Sequence, residues 1–96
     1  MEKIKIAVIG LGYVGLPLAR LFATRYPVVG FDINEKRVAE LMEGNDHTLE
    51  VDDLALKAVL KSSANDDNGL YCSRDTDDIR ECNYYIVTVP RLLYTS

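Results

Sequence analysis

Three glycines and one aspartate are the residues whose types and spacing point most directly to chemistry. Gly10, Gly12 and Gly15 directly follow an apolar run, and Asp32 closes a second apolar run. In a strand–loop–helix unit, the first glycine permits a tight turn and the second lets a pyrophosphate approach the backbone. The third lets the helix pack close to the sheet. A carboxylate after the next strand can accept hydrogen bonds from ribose hydroxyls, so the pattern predicts a dinucleotide-binding loop with Asp32 at the adenosine ribose.

The charge of Asp32 also predicts which dinucleotide is bound. A carboxylate at the ribose favours NAD, because the 2′-phosphate of NADP would meet a like charge. Arg37 leaves an alternative open, since a nearby arginine can receive that phosphate. Ile33, which follows Asp32, is also a candidate cofactor-binding residue.

Four further residues are candidate contacts on either side of the pyrophosphate. Tyr13 and Val14 lie inside the glycine pattern and would present backbone N–H groups to it. Val89 and Pro90 end a later apolar run and are predicted beside the pyrophosphate and the nicotinamide-side ribose. The alternatives are a glycine turn that only closes a strand–helix–strand unit, a surface acid at position 32, and a buried strand over 87–90.

The elements that would position these residues alternate between strand and helix. Strands are predicted over 4–10, 28–32, 70–73 and 84–89. Helices are predicted over 12–24, over 35–43 with Asn34 as cap, and from a cap at Asp52 or Asp53 to about 61, with a short helical turn at 75–80. This alternation implies a parallel α/β sheet of the Rossmann type with strand order 3-2-1-4.

The predicted sheet ends after its fourth strand, so residues 1–96 read as one dinucleotide-binding domain that is incomplete at its C-terminus. A complete fold of this type continues to strands 5 and 6. Without them, the apolar strand 84–89 would be an open edge, which predicts pairing with another chain and a homo-oligomer.

Composition excludes several other classes of function. The chain has 96 residues and a net charge of −4, and it has no Lys/Arg cluster, which argues against a nucleic-acid surface. No apolar run reaches the roughly 20 residues of a membrane span. The N-terminus enters the first strand with no room for a signal peptide, which predicts a cytoplasmic protein. Cys72, Cys82 and the single histidine, His47, have no metal-ligand spacing, so we expect reduced thiols and no metal.

Four segments carry a more specific resemblance. They read GLGYVGLPLA over 10–19, FDINEKRV over 31–38, DHTLEV over 46–51 and YIVTVP over 85–90. In this order they resemble the UDP-glucose/GDP-mannose dehydrogenase family, and the third segment is most similar to members that act on UDP-N-acetylated hexosamines in capsular and Vi-type polysaccharide synthesis. In that family, a basic residue at the position of Arg37 lies along the adenosine end of NAD.

The resemblance implies an oxidoreductase that oxidises the C6 alcohol of a UDP-sugar to a carboxylate with two NAD. The catalytic cysteine, its helpers and the sugar-nucleotide site of the family lie beyond residue 96, and neither Cys72 nor Cys82 matches that cysteine. We therefore expect this chain to bind NAD without turnover and assign it no catalytic residue. The family also continues Val-Pro-Thr-Pro where this chain reads VPRLLYTS over 89–96, which predicts a truncation, a frameshifted end or an added tail.

Two alternatives remain at this point. One is a stand-alone dinucleotide-binding or sensing module. The other is a fragment of an NAD(P)-dependent β-hydroxyacid dehydrogenase, although those enzymes usually carry Met-Gly in the loop and often Asn-Arg after the second strand. Here the corresponding residues are Val14-Gly15 and Asp32-Ile33.

Overall fold

The structure is a computed structural model that describes residues 4–46, 51–63, 65 and 67–88, and strands and helices alternate along them. The strands are β1 (Ile6–Ile9), β2 (Pro27–Phe31), β3 (Gly69–Ser73) and β4 (Tyr84–Val87). The helices are α1 (Gly15–Ala23), α2 (Glu35–Met42) and α3 (Asp53–Val59), and a 3-10 turn spans Thr76–Ile79. The predicted elements are all present. The main difference is α1, which begins at Gly15 rather than Gly12.

The sheet is parallel, and its order β3-β2-β1-β4 confirms the predicted topology. The register pairs Ile9 at the carboxyl end of β1 with Phe31 at the carboxyl end of β2. The next residue after each strand, Gly10 and Asp32, therefore emerges at the same edge of the sheet. This is the edge at which parallel α/β sheets bind their ligands.

Burial on both faces holds the two central strands in place. Every residue of β2 is buried, and Ala7 and Val8 of β1 are fully buried, as expected for parallel strands covered by helices. The largest fully buried apolar side chains are Leu11, Leu16, Leu41, Leu56, Leu70, Val8 and Val28. Burying one such side chain stabilises the fold by about 1.5–3 kcal/mol, so the core fixes α1 against the sheet just beyond the glycine loop.

Side-chain caps set the starts of two helices, as predicted. Asn34 Oδ1 accepts a hydrogen bond from Arg37 N at 3.2 Å at the start of α2. Asp52 Oδ2 accepts one from Leu54 N at 3.1 Å at the start of α3. Each bond satisfies one of the N–H groups that a helix N-terminus leaves without an intrahelical partner.

At the other side of the sheet, β4 pairs with β1 and with no other strand of the described residues. Its side chains Tyr84, Tyr85 and Val87 are exposed. The strand ends at Val87, while Val89 and Pro90, the last part of the predicted strand and site, lie outside the described residues. None of the helices in the described part of the chain is both long and apolar enough to cross a membrane.

Candidate dinucleotide site

The turn that leaves β1 requires glycine at position 10. Gly10 has a φ of +99°, in the left-handed region that other residues rarely adopt. A Cβ at this position would also overlap the backbone carbonyl oxygen of Thr88. The N–H of Gly10 donates to Phe31 O at 2.8 Å, so the first residue of the loop is tied to β2.

Gly15, the first residue of α1, is required for packing. A Cβ on Gly15 would overlap the carbonyl oxygen of Gly10 and the hydroxyl of Thr88. That hydroxyl donates to Gly10 O at 2.8 Å, and Thr88 N donates to Ile9 O at 2.7 Å. Thr88, which was not predicted as a site residue on its own, therefore holds Gly10 through its hydroxyl and leaves no room for a side chain at Gly15. The one sequence feature that could have identified Thr88 is a hydroxyl side chain near the end of the apolar run 84–89.

Gly12 differs from the other two glycines because it faces open space. Apart from its two chain neighbours, no atom of the described residues lies within 4 Å of a Cβ placed at this position. The next residues, Tyr13 and Val14, are exposed, and Val14 occupies the cap position of α1 without a side-chain hydrogen bond to the first turn. The tip of the loop thus combines free space, a helix N-terminus and no competing cap, which is the arrangement that a phosphate group needs.

Asp32 follows β2 and reaches back to the loop. Its Oδ2 accepts from Leu11 N at 2.9 Å and its Oδ1 accepts from Asn34 N at 2.9 Å. A carboxylate offers about four lone-pair positions, so these two bonds orient the group and leave each oxygen able to accept from a hydroxyl. Ile33 beside it is strongly exposed.

Arg37 is buried beneath the loop rather than exposed beside it. Its Nε donates to Leu11 O at 2.8 Å, and its Nη1 donates to Asp46 Oδ1 at 2.8 Å. Its Nη2 is buried and has no hydrogen-bond partner among the described residues. A contact between Arg37 and the cofactor stays a prediction. Asp46, which was not predicted as a partner of Arg37, determines where the guanidinium charge lies.

The two cysteines are free thiols, as expected. Burial raises the pKa of the Cys72 thiol to about 12, and burial also raises the pKa of Cys82. Both side chains therefore remain protonated at neutral pH and are poor nucleophiles. Within the described residues no group of three His, Cys, Asp or Glu side chains could hold a metal ion. His47 and the family-like segment around it, through Glu50, lie outside those residues.

The residues present fit a dinucleotide. Gly12 leaves room among the described residues where a pyrophosphate would lie, and α1 begins there without a side-chain cap. Asp32 holds an oriented carboxylate at the carboxyl end of the neighbouring strand. Asp32 accepts from the N–H of Leu11, the residue directly before Gly12, so the acid lies next to the glycine loop.

Comparison with known proteins agrees with this geometry. Residues 4–91 match the model of the UDP-glucose/GDP-mannose dehydrogenase family, NAD binding domain. The chain is 49% identical over 90 residues to a UDP-N-acetyl-D-glucosamine 6-dehydrogenase from Pseudomonas aeruginosa. The matched segment covers 94% of this chain and 19% of that protein. The chain is 43% identical over 95 residues to the enzyme of the same name from Salmonella typhi, covering 99% of this chain and 20% of the relative.

A solved structure shares the fold as well. The UDP-D-ManNAc dehydrogenase from Pyrococcus horikoshii superposes with a TM-score of 0.75 at 34% identity, covering 90% of this chain and 20% of that one. The chain thus spans about a fifth of the length of the relatives that it matches. The glycine loop, the acid after β2, the strand order and the family match lead to one conclusion: the chain belongs to the UDP-glucose/GDP-mannose dehydrogenase family and carries its NAD-binding domain.

Proposed function

We propose that this chain is the NAD-binding part of a nucleotide-sugar 6-dehydrogenase that oxidises the C6 alcohol of a UDP-N-acetylhexosamine to a carboxylate. The names of the relatives from P. aeruginosa and S. typhi support this substrate class. Bound NAD would accept the hydride, in two successive oxidations. The chain itself would bind the cofactor without turnover. The family match favours this function over a sensing module or a β-hydroxyacid dehydrogenase.

The observation that carries the proposal is the pairing of an open glycine with an oriented acid. The backbone N–H groups of Tyr13 and Val14 would bind the pyrophosphate beside the open position Gly12. Asp32 would accept hydrogen bonds from the adenosine ribose, and Ile33 would cover the adenosine side. The remaining proposed site residues are Gly10, Gly15, Arg37, Val89 and Pro90.

The same geometry supports NAD over NADP. A 2′-phosphate would meet the carboxylate of Asp32, and the charge of Arg37 already lies against the buried carboxylate of Asp46 at 2.8 Å. A phosphate at the ribose would therefore face the negative charge of Asp32, while the positive charge of Arg37 is already offset by Asp46.

Calorimetric titration of the chain with NAD and NADP tests the site. We expect NAD to bind with a micromolar to low-millimolar Kd and NADP to bind more weakly. Asp32→Ala removes the charge-assisted ribose contacts and should weaken NAD binding about 10-fold or more. Glu43→Ala, which removes an exposed carboxylate at the end of α2, is the matched control and should bind like the parent. Equal affinities for NAD and NADP, or an unchanged Asp32→Ala variant, would contradict the proposal.

We also propose a second copy of this chain as a partner at β4. Strand β4 presents an unpaired edge within the described residues, and Tyr84, Tyr85 and Val87 are 55%, 50% and 63% exposed. An apolar strand edge without charged side chains is a template for strand pairing.

A further inference from the structure

Leu11, the residue between the first two glycines of the loop, is held from three directions. Its N–H donates to Asp32 Oδ2 at 2.9 Å, and its carbonyl oxygen accepts from Arg37 Nε at 2.8 Å. Its side chain is fully buried and packs against Gly30 of β2, where a Cβ would lie 2.9 Å from Leu11 Cδ2. The backbone of the loop is therefore fixed at this one residue, directly before the open position Gly12.

The group that holds the carbonyl of Leu11 is itself immobilised. Arg37 is 7% exposed, and its Nη1 donates to Asp46, whose side chain is fully buried. Asp46 Oδ2 in turn accepts from Val51 N at 2.9 Å. A guanidinium is planar, so bonds from Nε and Nη1 to two separate partners fix its position and its orientation. A series of three hydrogen bonds, from Val51 to Asp46, from Arg37 to Asp46 and from Arg37 to Leu11, therefore connects the segment after α2 to the glycine loop.

We infer that Arg37 is a positioning residue, which holds the glycine loop in its pyrophosphate-binding conformation through the carbonyl of Leu11. The inference rests on the proposed cofactor site. A loop whose N–H groups are already oriented binds a phosphate without the entropic cost of ordering them. Without the bond to Arg37, the carbonyl group of Leu11 is no longer held in place. The backbone N–H groups that follow it in the loop then lose their fixed direction.

The inference predicts different changes in affinity for two ligands that share an adenosine. ADP-ribose contains the pyrophosphate that the loop would bind, whereas adenosine contains only the base and the ribose. If Arg37 acts through the loop, its replacement weakens ADP-ribose and leaves adenosine unchanged. If Arg37 contacts the ribose directly, both ligands weaken together.

The test measures both ligands on Arg37→Gln, Arg37→Lys and the parent chain. We expect Arg37→Gln to weaken ADP-ribose about tenfold, as for the loss of one charge-assisted hydrogen bond, with adenosine within about twofold by NMR titration. Arg37→Lys keeps a positive charge opposite Asp46, which protects folding, but loses the fixed fork, so we expect a smaller loss in the same direction. Lys36→Gln removes the neighbouring exposed charge on α2 and should bind both ligands like the parent.

Two results would overturn the inference: parallel weakening of ADP-ribose and adenosine, or unchanged ADP-ribose binding by both Arg37 variants. A second measurement needs no ligand. Amide hydrogen exchange at Leu11 should accelerate in Arg37→Lys relative to Lys36→Gln, because the loop opens more often. Unchanged exchange would count against the inference even if the parent failed to bind ADP-ribose, a failure that would instead refute the proposed function.

Discussion

At the scale of single residues, the three glycines of the loop perform different work. Gly10 and Gly15 are enclosed by the backbone of the loop and by Thr88, whereas Gly12 has open space where its side chain would lie. Two of them are therefore needed for the fold, and the third is needed for the ligand. A substitution can separate these roles.

We expect Gly12→Ala to change mainly NAD binding and Gly15→Ala to change mainly the stability of the fold. The Cβ of Gly12→Ala meets no atom of the part of the chain that the structure describes, apart from its chain neighbours, so the free energy of unfolding should change by less than about 0.5 kcal/mol. NAD binding should fall, because the methyl group would occupy the space proposed for the pyrophosphate. The Cβ of Gly15→Ala overlaps Gly10 O, so this variant should lose about 1–3 kcal/mol. Urea denaturation and calorimetric titration of both variants measure the two effects. Equal destabilisation would refute the separation of roles.

At the scale of elements, α2 links the acid to the loop. Only residues 32–34 separate the end of β2 from the start of α2, so Asp32 precedes the helix and Arg37 lies in its first turns. Asn34 caps α2 by accepting from the N–H of Arg37 and donates its own N–H to Asp32. A single cap therefore orients both polar groups that hold Leu11.

The two capped helices provide a matched comparison of stability and binding. Asn34→Ala and Asp52→Ala each remove one cap bond and should each cost about 0.5–2 kcal/mol of stability. Asn34→Ala should weaken NAD more than Asp52→Ala does, because α2 carries Arg37, whereas α3 reaches Arg37 only indirectly, through Asp53 and Asp46. Thermal denaturation and NAD titration check both effects. A comparable loss of NAD affinity in Asp52→Ala would show that the effect is general destabilisation.

At the scale of the whole molecule, the strand order decides which edges are exposed. The central strands β1 and β2 have neighbours on both sides, while β4 has β1 alone among the described residues. Its exposed side chains make this edge apolar and uncharged. Of the two edge strands, β3 and β4, the proposed pairing with a second copy uses β4.

We expect the 96-residue chain to self-associate with increasing concentration, and Val87→Lys to reduce this association. A lysine on an edge strand opposes pairing because its charge would have to be buried between strands. The control is Leu54→Lys on α3, which introduces the same charge at another strongly exposed apolar position. Light scattering over a concentration series measures both. A monomeric parent at high concentration, or equal effects of the two lysines, would contradict edge pairing.

Much of the fold follows from signals that lie within a few residues of one another. The apolar runs, the glycine spacing and the caps at Asn34 and Asp52 predicted the elements, and their alternation predicted the order β3-β2-β1-β4. The start of α1 was wrong by one turn, because glycine spacing does not reveal which loop residues precede the first helical hydrogen bond. The positions of the other strands and helices follow from short-range patterns, because strand and helix periodicity are set by residues a few positions apart.

The sequence by itself thus determined the family, the parallel sheet and the positions of the loop and of Asp32. The tertiary structure alone decided that Thr88 locks Gly10, across 78 positions, and that Arg37 holds Leu11, across 26. It also brought Asp46 to 2.8 Å from Arg37 Nη1, closer than Glu40 of the same helix at 3.7 Å. The physical reason is that a buried charge must find a compensating partner wherever the folded core brings one within reach, and local patterning does not specify that distance.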